Sequence, residues 1–206
     1  MTGLDRLEGR RVLMVYAHCD DELVCGWPVL QVPGIHKEVI IVSSDENNPE
    51  RRWCAHRKQV TIDYCRSMQI PVRVLSYNSD FFSLNHRKGK LSQLERAVLK
   101  EIRGREFDFV MTHNLFGEYG HLDHKFLAEL LLRTAPKLLT TDIIMPSDWS
   151  SVPPQPSAYF ERLGADIVGE IGLDADFYLR GQRFYETRGA WTWSVPPPAT
   201  ARVLSL

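Results

Sequence analysis

The chain lacks the features that define several large classes of protein. No apolar run reaches the roughly 20 residues that are needed to cross a bilayer, and the segment from Met1 to Arg11 is too charged for a signal peptide. The formal net charge of -1 gives no reason to expect a nucleic acid as partner. We therefore expect a cytoplasmic protein without a transmembrane segment, whose partner is a small molecule. The sequence does not indicate an oligomeric state.

Cysteine is also scarce, with only four residues and no C-x-x-C pair. This spacing excludes a disulfide framework and a cysteine-based zinc module. Cys19 lies within a polar cluster, but its neighbours already supply enough metal ligands, so we interpret it as a bystander.

The sequence does contain a regular alternation of buried strands and helical segments. Its 206 residues, 44% of them hydrophobic, can bury one substantial core. We predict a single domain over residues 1–206, with an α/β core at 1–146 and an irregular C-terminal completion at 147–206. Short apolar runs bounded by polar residues predict five strands, at Arg11–Ala17, Glu38–Ser43, Val72–Tyr77, Phe107–Thr112 and Asp142–Met145. Helical patterns lie between them, among them Pro49–Gln69 and Leu91–Arg103, whereas residues 78–90 are interpreted as a polar loop. The alternation predicts a Rossmann-like, doubly wound, mostly parallel sheet with strand order 3-2-1-4-5.

Two polar clusters follow the first and the fourth predicted strands. Residues 18–22 read His-Cys-Asp-Asp-Glu, and residues 121–124 read His-Leu-Asp-His. In the predicted order, strands 1 and 4 are neighbours at the point where the strand order reverses, which is where ligands bind in such sheets. Catalytic zinc usually takes three protein ligands from His, Asp or Glu and keeps one position open. The two clusters therefore predict a zinc site of a hydrolase.

Each residue taken alone also has a structural interpretation. Asp20 and Asp21 precede a helix and are good N-cap residues, and Asp123 in a first turn is favoured by the helix dipole. The coincidence of two His/Asp clusters at two strand ends on one side of the sheet favours the metal site.

The clusters resemble the signatures of the PIG-L/LmbE-like zinc-dependent de-N-acetylases, which remove the acetyl group from N-acetylglucosamine-type substrates. The first family signature, Ala-His-Pro-Asp-Asp-Glu, corresponds to AHCDDE at 17–22, and the second, His-x-Asp-His, lies within THNLFGEYGHLDH at 112–124. A weaker element is the Arg57-Lys58-Gln59 stretch after strand 2. The motifs cover about the first two-thirds of the chain.

The resemblance implies one zinc ion per chain and a role for each matched residue. His18, Asp21 and His124 look like the ligands, and Asp20 resembles the general base that activates a water molecule. His121 resembles the residue that stabilises the oxyanion or protonates the leaving amine, with Asp123 orienting it and raising its pKa. The remaining matches concern the substrate: Tyr119 as an aid to carbonyl polarisation, and Arg57 as a contact. Apart from the resemblance, Asn114 after strand 4 is interpreted either as a substrate contact or as a loop cap.

The chain departs from the family pattern at three positions, Cys19 for Pro, Val60 for Glu and Gln69 for Gly. We expect specificity to lie in residues 78–90 and in three C-terminal aromatic residues, Tyr185, Trp191 and Trp193. Two rival functions stay open: a magnesium-binding phosphoacceptor or nucleotide-binding domain, and a non-catalytic glycan-binding relative that keeps zinc.

Overall fold

A seven-stranded sheet organises the chain in the computed structural model, which describes residues 4–44, 56–145 and 157–206. The strands are β1 Arg11–Tyr16, β2 His36–Ser43, β3 Val72–Tyr77, β4 Phe109–Met111, β5 Leu138–Thr141, β6 Asp166–Gly172 and β7 Thr200–Ser205. They lie in the order β3-β2-β1-β4-β5-β7-β6. The first five strands are parallel, and β7 pairs antiparallel with both β5 and β6. The predicted fold class and the strand order 3-2-1-4-5 are confirmed.

Helices connect the strands and cover both faces of the sheet. They are α1 Asp21–Val24, α2 Trp27–Leu30, α3 Arg57–Ser67, α4 Phe81–Arg87, α5 Leu91–Ile102, α6 Gly117–Gly120, α7 Leu122–Thr134, α8 Ser157–Arg162 and α9 Ala175–Glu186, with a 3-10 turn at Asp5–Leu7. Within the described ranges, none of these helices is long and apolar enough to cross a membrane.

The central strand β1 shows why the sheet is covered on both sides. Its successive side chains point to opposite faces, and all of them after Arg11 are buried. Met14 and Tyr16 belong to the core cluster that also contains residues of α1, α2, α3 and α9. Leu13 and Val15 pack on the opposite face with Leu131 of α7. A strand buried on both faces must be apolar throughout, as this one is.

Three local predictions were wrong. The fifth strand lies at Leu138–Thr141 rather than Asp142–Met145. The reason is that the residues beyond Thr141 bind other partners. Asp142 pairs with Arg202, and the backbone N–H of Met145 donates to the carbonyl of Glu118. The polar loop at 78–90 contains the helix α4. The C-terminal region is regular where it is described, with α8, β6, α9 and β7, and its two strands extend the same sheet. The predicted helix Pro49–Gln69 is observed from Arg57 to Ser67, and its first part lies outside the described residues.

Candidate metal centre

The sheet brings the two polar clusters together. β1 and β4 are hydrogen-bonded neighbours, with Val12 opposite Phe109. Both strands are parallel, so their carboxyl ends lie at the same edge, and the segments that follow them meet there. Side chains from both clusters are in direct contact at this edge: His18 Nδ1 lies 3.1 Å from His124 Nε2.

Three donor atoms form a compact triangle. Asp21 Oδ2 lies 3.3 Å from His18 Nδ1 and 3.4 Å from His124 Nε2, and the two nitrogens are 3.1 Å apart. In a tetrahedral zinc site with bonds of about 2.0–2.1 Å, neighbouring ligand atoms are separated by about 3.3 Å. The three predicted ligands therefore have the spacing that one zinc ion requires.

The opposite edge of each histidine ring is held by a carboxylate. His18 Nε2 is 3.2 Å from Asp123 Oδ2, and His124 Nδ1 is 2.7 Å from Glu118 Oε2. A ring nitrogen that donates to a carboxylate leaves the other nitrogen free to bind a metal, which is the usual arrangement behind a metal-binding histidine. Against the opposing effect of burial, Asp21 and Glu118 raise the pKa of His124 to about 10, and Asp123 and Asp21 raise that of His18.

Asp123 differs from the prediction in its partner. Its carboxylate contacts His18 and accepts the backbone N–H groups of Phe81 and Phe82 in α4. It reaches His121 through its own backbone N–H, which donates to His121 Nδ1. The reason is local: His121 is the N-cap residue of α7, and its side chain accepts the N–H two residues on. Asp123 does raise the pKa of His121, but burial and the neighbouring His124 and His18 outweigh it and lower that pKa to about 3.

Asp20, the predicted base, lies next to the donor triangle and is buried. Its Oδ2 accepts from Arg57 at 2.9 Å and from the hydroxyl of Thr192 at 2.9 Å. Burial raises the pKa of this carboxyl to about 6, even though Arg57 opposes the shift. Its backbone has φ = 90°, a left-handed conformation that costs a non-glycine residue about 1–3 kcal/mol and is found mainly at functional sites.

Arg57 does not stand at an open surface as a substrate contact would. Its side chain is buried, and its guanidinium binds Asp20 and the backbone carbonyl of Cys19. These contacts hold the turn between β1 and α1 in position. The described geometry therefore gives Arg57 a role in holding the base.

His121 and Tyr119 line the half-buried side of the centre. The His121 ring lies 4.8 Å from that of His18 and 4.7 Å from that of His124, centre to centre. Tyr119 contacts His121 at 5.6 Å and the ring of Trp193 at 5.3 Å. Both rings thus border the triangle of donor atoms.

Asn114 was interpreted either as a substrate contact or as a loop cap, and its contacts are those of the cap. The side chain is completely buried, its Oδ1 accepts the backbone N–H groups of Phe116 and Glu118, and its Nδ2 donates to the carbonyl of Ile143. With both ends of the amide used in this way, the residue caps the turn after β4.

A second group of donor atoms lies behind the centre, namely those of Cys25, His113, Glu118 and His124. Both ring nitrogens of His113 already have hydrogen-bond partners: Nε2 accepts the backbone N–H of Ala17, and Nδ1 contacts the carboxylate of Glu118. Burial raises the pKa of Cys25, so its thiol stays protonated. We interpret this group as the support of the metal site.

Residues that sequence reasoning missed come from two places. Glu118 lies between β4 and the second cluster, within the THNLFGEYGHLDH stretch that carries the resemblance, but no role was predicted for it. Thr192, which hydrogen-bonds Asp20, comes from the C-terminal third. Tyr185 was expected to bear on specificity, and it hydrogen-bonds the buried Glu22 instead. Of the three C-terminal aromatic residues, Tyr185 is fully buried and Trp193 contacts Tyr119.

Comparison with known sequences gives one informative relative. An uncharacterised protein of Acanthamoeba polyphaga mimivirus is 29% identical over 137 residues, which is 63% of this chain and 60% of the viral protein. The chain thus matches less than two-thirds of that relative's length. No protein-family model matches the chain.

Solved structures with the same fold are deacetylases. The N,N'-diacetylchitobiose deacetylase from Pyrococcus horikoshii superposes with a TM-score of 0.58 at 14% identity, over 92% of this chain and 74% of that one. A deacetylase of an antimicrobial pseudoaglycone gives 0.60 at 13%, over 96% and 98% of the two chains. The zinc-inhibited form of a teicoplanin deacetylase gives 0.57 at 11%, over 94% and 97%. The resemblance drawn from the motifs is thereby confirmed at the level of the fold: this chain has the α/β fold of the LmbE/PIG-L-type deacetylases.

Proposed function

We propose that the chain is a zinc-dependent de-N-acetylase of the PIG-L/LmbE-like family. It would hydrolyse the acetamide of an N-acetylglucosamine-type sugar or glycoconjugate to acetate and a free amino sugar. The observation that carries this proposal is the triangle of His18, Asp21 and His124 with Asp20 beside it. The deacetylase activity of the structural neighbours supports it.

The donor set favours zinc over magnesium. Two of the three donor atoms are imidazole nitrogens, which suit zinc, whereas magnesium prefers an octahedral set of oxygens. The rival function as a magnesium-binding phosphoacceptor leaves both histidines without a role. An ion at this site would polarise the amide carbonyl and acidify a water molecule.

Asp20 is suited to move the proton. Its hydrogen bonds to Arg57 and Thr192 both use Oδ2, so Oδ1 is the oxygen that takes the proton from the attacking water. A carboxyl whose pKa is about 6 can accept this proton and then return it. As the C–N bond breaks, Asp20 delivers the proton to the nitrogen of the departing amine.

His121 is suited to stabilise the oxyanion as a neutral ring. Its Nδ1 accepts the backbone N–H of Asp123, so the proton of the neutral ring lies on Nε2. The lowered pKa of His121 keeps the ring neutral at pH 7, where Nε2–H is a hydrogen-bond donor. The hydroxyl of Tyr119 would supply a second donor.

The experiment is a hydrolysis assay with zinc-loaded protein. A panel of N-acetylated sugars, including N-acetylglucosamine and diacetylchitobiose, is screened for released acetate and for new primary amine. Asp20→Asn removes the base, and we expect it to lower kcat by about 10²–10⁴-fold while zinc binding is retained. Asp63→Asn, a change of a half-buried carboxylate in α3 that pairs with Arg66, serves as the matched control and should leave kcat unchanged.

Two results would contradict the proposal. The first is a zinc-loaded protein that releases neither product from any sugar of the panel. The second is an Asp20→Asn variant with the kcat of the unmodified protein, which would eliminate the proposed base. A protein that binds sugars but does not cleave them would support the non-catalytic alternative.

A further inference from the structure

A single buried carboxylate connects the loop after β4 to the metal centre. Glu118 is completely buried, and its Oε2 lies 2.7 Å from His124 Nδ1 and 3.1 Å from His113 Nδ1. Its Oε1 accepts the backbone N–H of Asn114 at 2.9 Å. Three donors thus converge on one side chain that accepts all of them only as a carboxylate.

These contacts determine which nitrogen of each histidine carries a proton. His113 Nε2 accepts the backbone N–H of Ala17, so the proton of the neutral His113 ring lies on Nδ1 and points to Glu118. His124 donates from Nδ1 to the same oxygen, which leaves Nε2 to face His18 and Asp21. The tautomer of His124 that binds a metal is therefore the one that Glu118 accepts.

The backbone of Glu118 is held in an uncommon conformation to achieve this. Its φ of 57° lies in the left-handed region, and Gly117 and Gly120 on either side also have positive φ. Asn114 Oδ1 accepts its N–H, and the carbonyl of Glu118 accepts from Met145. A Cβ on Gly117 would lie 3.3 Å from His124 Cβ, so the glycine also allows the loop to approach α7. The loop is built to direct this carboxylate inward.

We propose that Glu118 is a positioning residue that fixes the orientation and tautomer of His124 and thereby sets the affinity of the metal site. The inference rests on the proposed function only in that it takes His124 to be a metal ligand. Partners of this kind, placed behind a metal-binding histidine, typically contribute about 10–100-fold to metal affinity.

The variant that tests this is Glu118→Gln, which preserves shape and removes the charge. A glutamine has one acceptor oxygen, so it cannot accept from the histidines and from Asn114 at once. If its amide nitrogen turns to His124, it donates to Nδ1 and moves the ring proton to Nε2, where it competes with the metal. We expect the dissociation constant for zinc, measured by competition with a chromophoric chelator, to rise about 10–100-fold.

The matched control is Glu22→Gln. Glu22 is equally buried and is also hydrogen-bonded, but its carboxylate contacts Tyr185 and the backbone N–H of Asp20 rather than a metal ligand's side chain. We expect its zinc dissociation constant to stay within threefold of the unmodified value. Both variants are compared at pH 9, where Glu22 as well as Glu118 is ionised, because burial raises the pKa of Glu22 to about 8. Equal losses in the two variants would then show a general effect of neutralising a buried carboxylate, and would overturn the assignment.

A second measurement needs no variant, so it holds even if Glu118→Gln does not fold. In zinc-loaded protein carrying ¹⁵N-histidine, His124 should show a proton on Nδ1 that exchanges slowly with water. A metal on Nδ1, or an unprotonated Nδ1, would overturn the proposal. Both measurements use zinc alone, without a sugar. A protein that binds zinc as expected and hydrolyses nothing would refute the proposed function and leave the role of Glu118 intact.

Discussion

Two tyrosines on α9 make a sharp test of how the C-terminal region supports the site. Tyr185 and Tyr178 are both buried, and both pack against Trp191. The hydroxyl of Tyr185 donates to Glu22 and lies 3.0 Å from the hydroxyl of Thr61. The hydroxyl of Tyr178, by contrast, is buried without a hydrogen-bond partner among the residues described. The same substitution to phenylalanine should therefore have opposite consequences.

The expected change in the free energy of unfolding depends on the hydrogen-bond partner that each tyrosine hydroxyl has. Tyr185→Phe leaves a buried carboxyl without its donor, which costs about 1 kcal/mol when the carboxyl is neutral and about 1.5–3 kcal/mol when it is ionised. Tyr178→Phe removes a hydroxyl that was desolvated without compensation, so we expect no loss, or a gain of up to about 1 kcal/mol. Neither change creates a sizeable cavity.

The pH dependence adds a second criterion. Burial raises the pKa of Glu22 to about 8. A carboxyl whose pKa is raised by folding stabilises the folded state at pH values below its pKa in the unfolded chain. This stabilisation is lost as the pH rises through its pKa in the folded state. At pH 6 Glu22 is neutral and at pH 9 it is ionised. The loss caused by Tyr185→Phe should therefore grow between pH 6 and pH 9, because the missing hydroxyl is needed most by the carboxylate.

The assay is urea unfolding of metal-free protein in a chelator at pH 6 and pH 9, followed by tryptophan fluorescence and circular dichroism. The free energies of unfolding of the two variants are compared with the unmodified value at each pH. The reasoning is refuted if Tyr185→Phe costs no more than Tyr178→Phe, or if its cost is the same at both pH values.

Two further predictions concern the base and the metal. Thr192→Val removes the hydroxyl that donates to Asp20, and we expect kcat on the best sugar to fall about tenfold or more while the zinc affinity is unchanged. Thr192→Ser keeps the hydroxyl and should retain the unmodified kcat. An equal loss of kcat in both variants would assign the residue a packing role. Because the pKa of His124 is raised to about 10 in the folded protein, the metal-free site holds an additional proton. This proton stabilises the fold at pH values below the pKa of the histidine in the unfolded chain, and the stabilisation is lost as the pH rises through the pKa of the folded state. Zinc must displace this proton, so the apparent zinc affinity should rise about tenfold per pH unit between pH 6 and pH 9. Calorimetry in buffers of different ionisation enthalpy measures the number of released protons. A zinc affinity that does not change with pH would contradict the exchange of the proton for zinc.

The sequence was sufficient for the features that depend on short-range pattern. Buried strands bounded by polar turns identified β1 to β4, and the rule for ligand positions in parallel sheets then brought His18 and Asp21 to His124. These side chains meet because the segments that follow β1 and β4 leave the sheet at the same edge, so the topology brings them together.

The features that were missed depend on contacts between distant segments. Glu118 is an exception, because its partners His113, His124 and Asn114 lie within six residues of it; what the sequence pattern does not show is that the turn after β4 directs its carboxylate inward. The partner of Asp123 follows from the arrival of α4, which was predicted as loop. The strand β6 contains two glycines and is largely exposed, so it lacks the apolar pattern by which the parallel strands were recognised.

The hydrogen bond between Thr192 and Asp20 has a consequence for how the site forms during synthesis. The donor and the acceptor are 172 residues apart, and Tyr185 and Glu22 are 163 apart, whereas the three metal ligands all lie within the first 124 residues. A nascent chain emerges from the ribosome in this order. The triangle of His18, Asp21 and His124 can assemble before Thr192 is made, whereas Asp20 acquires its hydroxyl partner only afterwards. Metal binding and catalytic competence should therefore mature as two separate events, in that order.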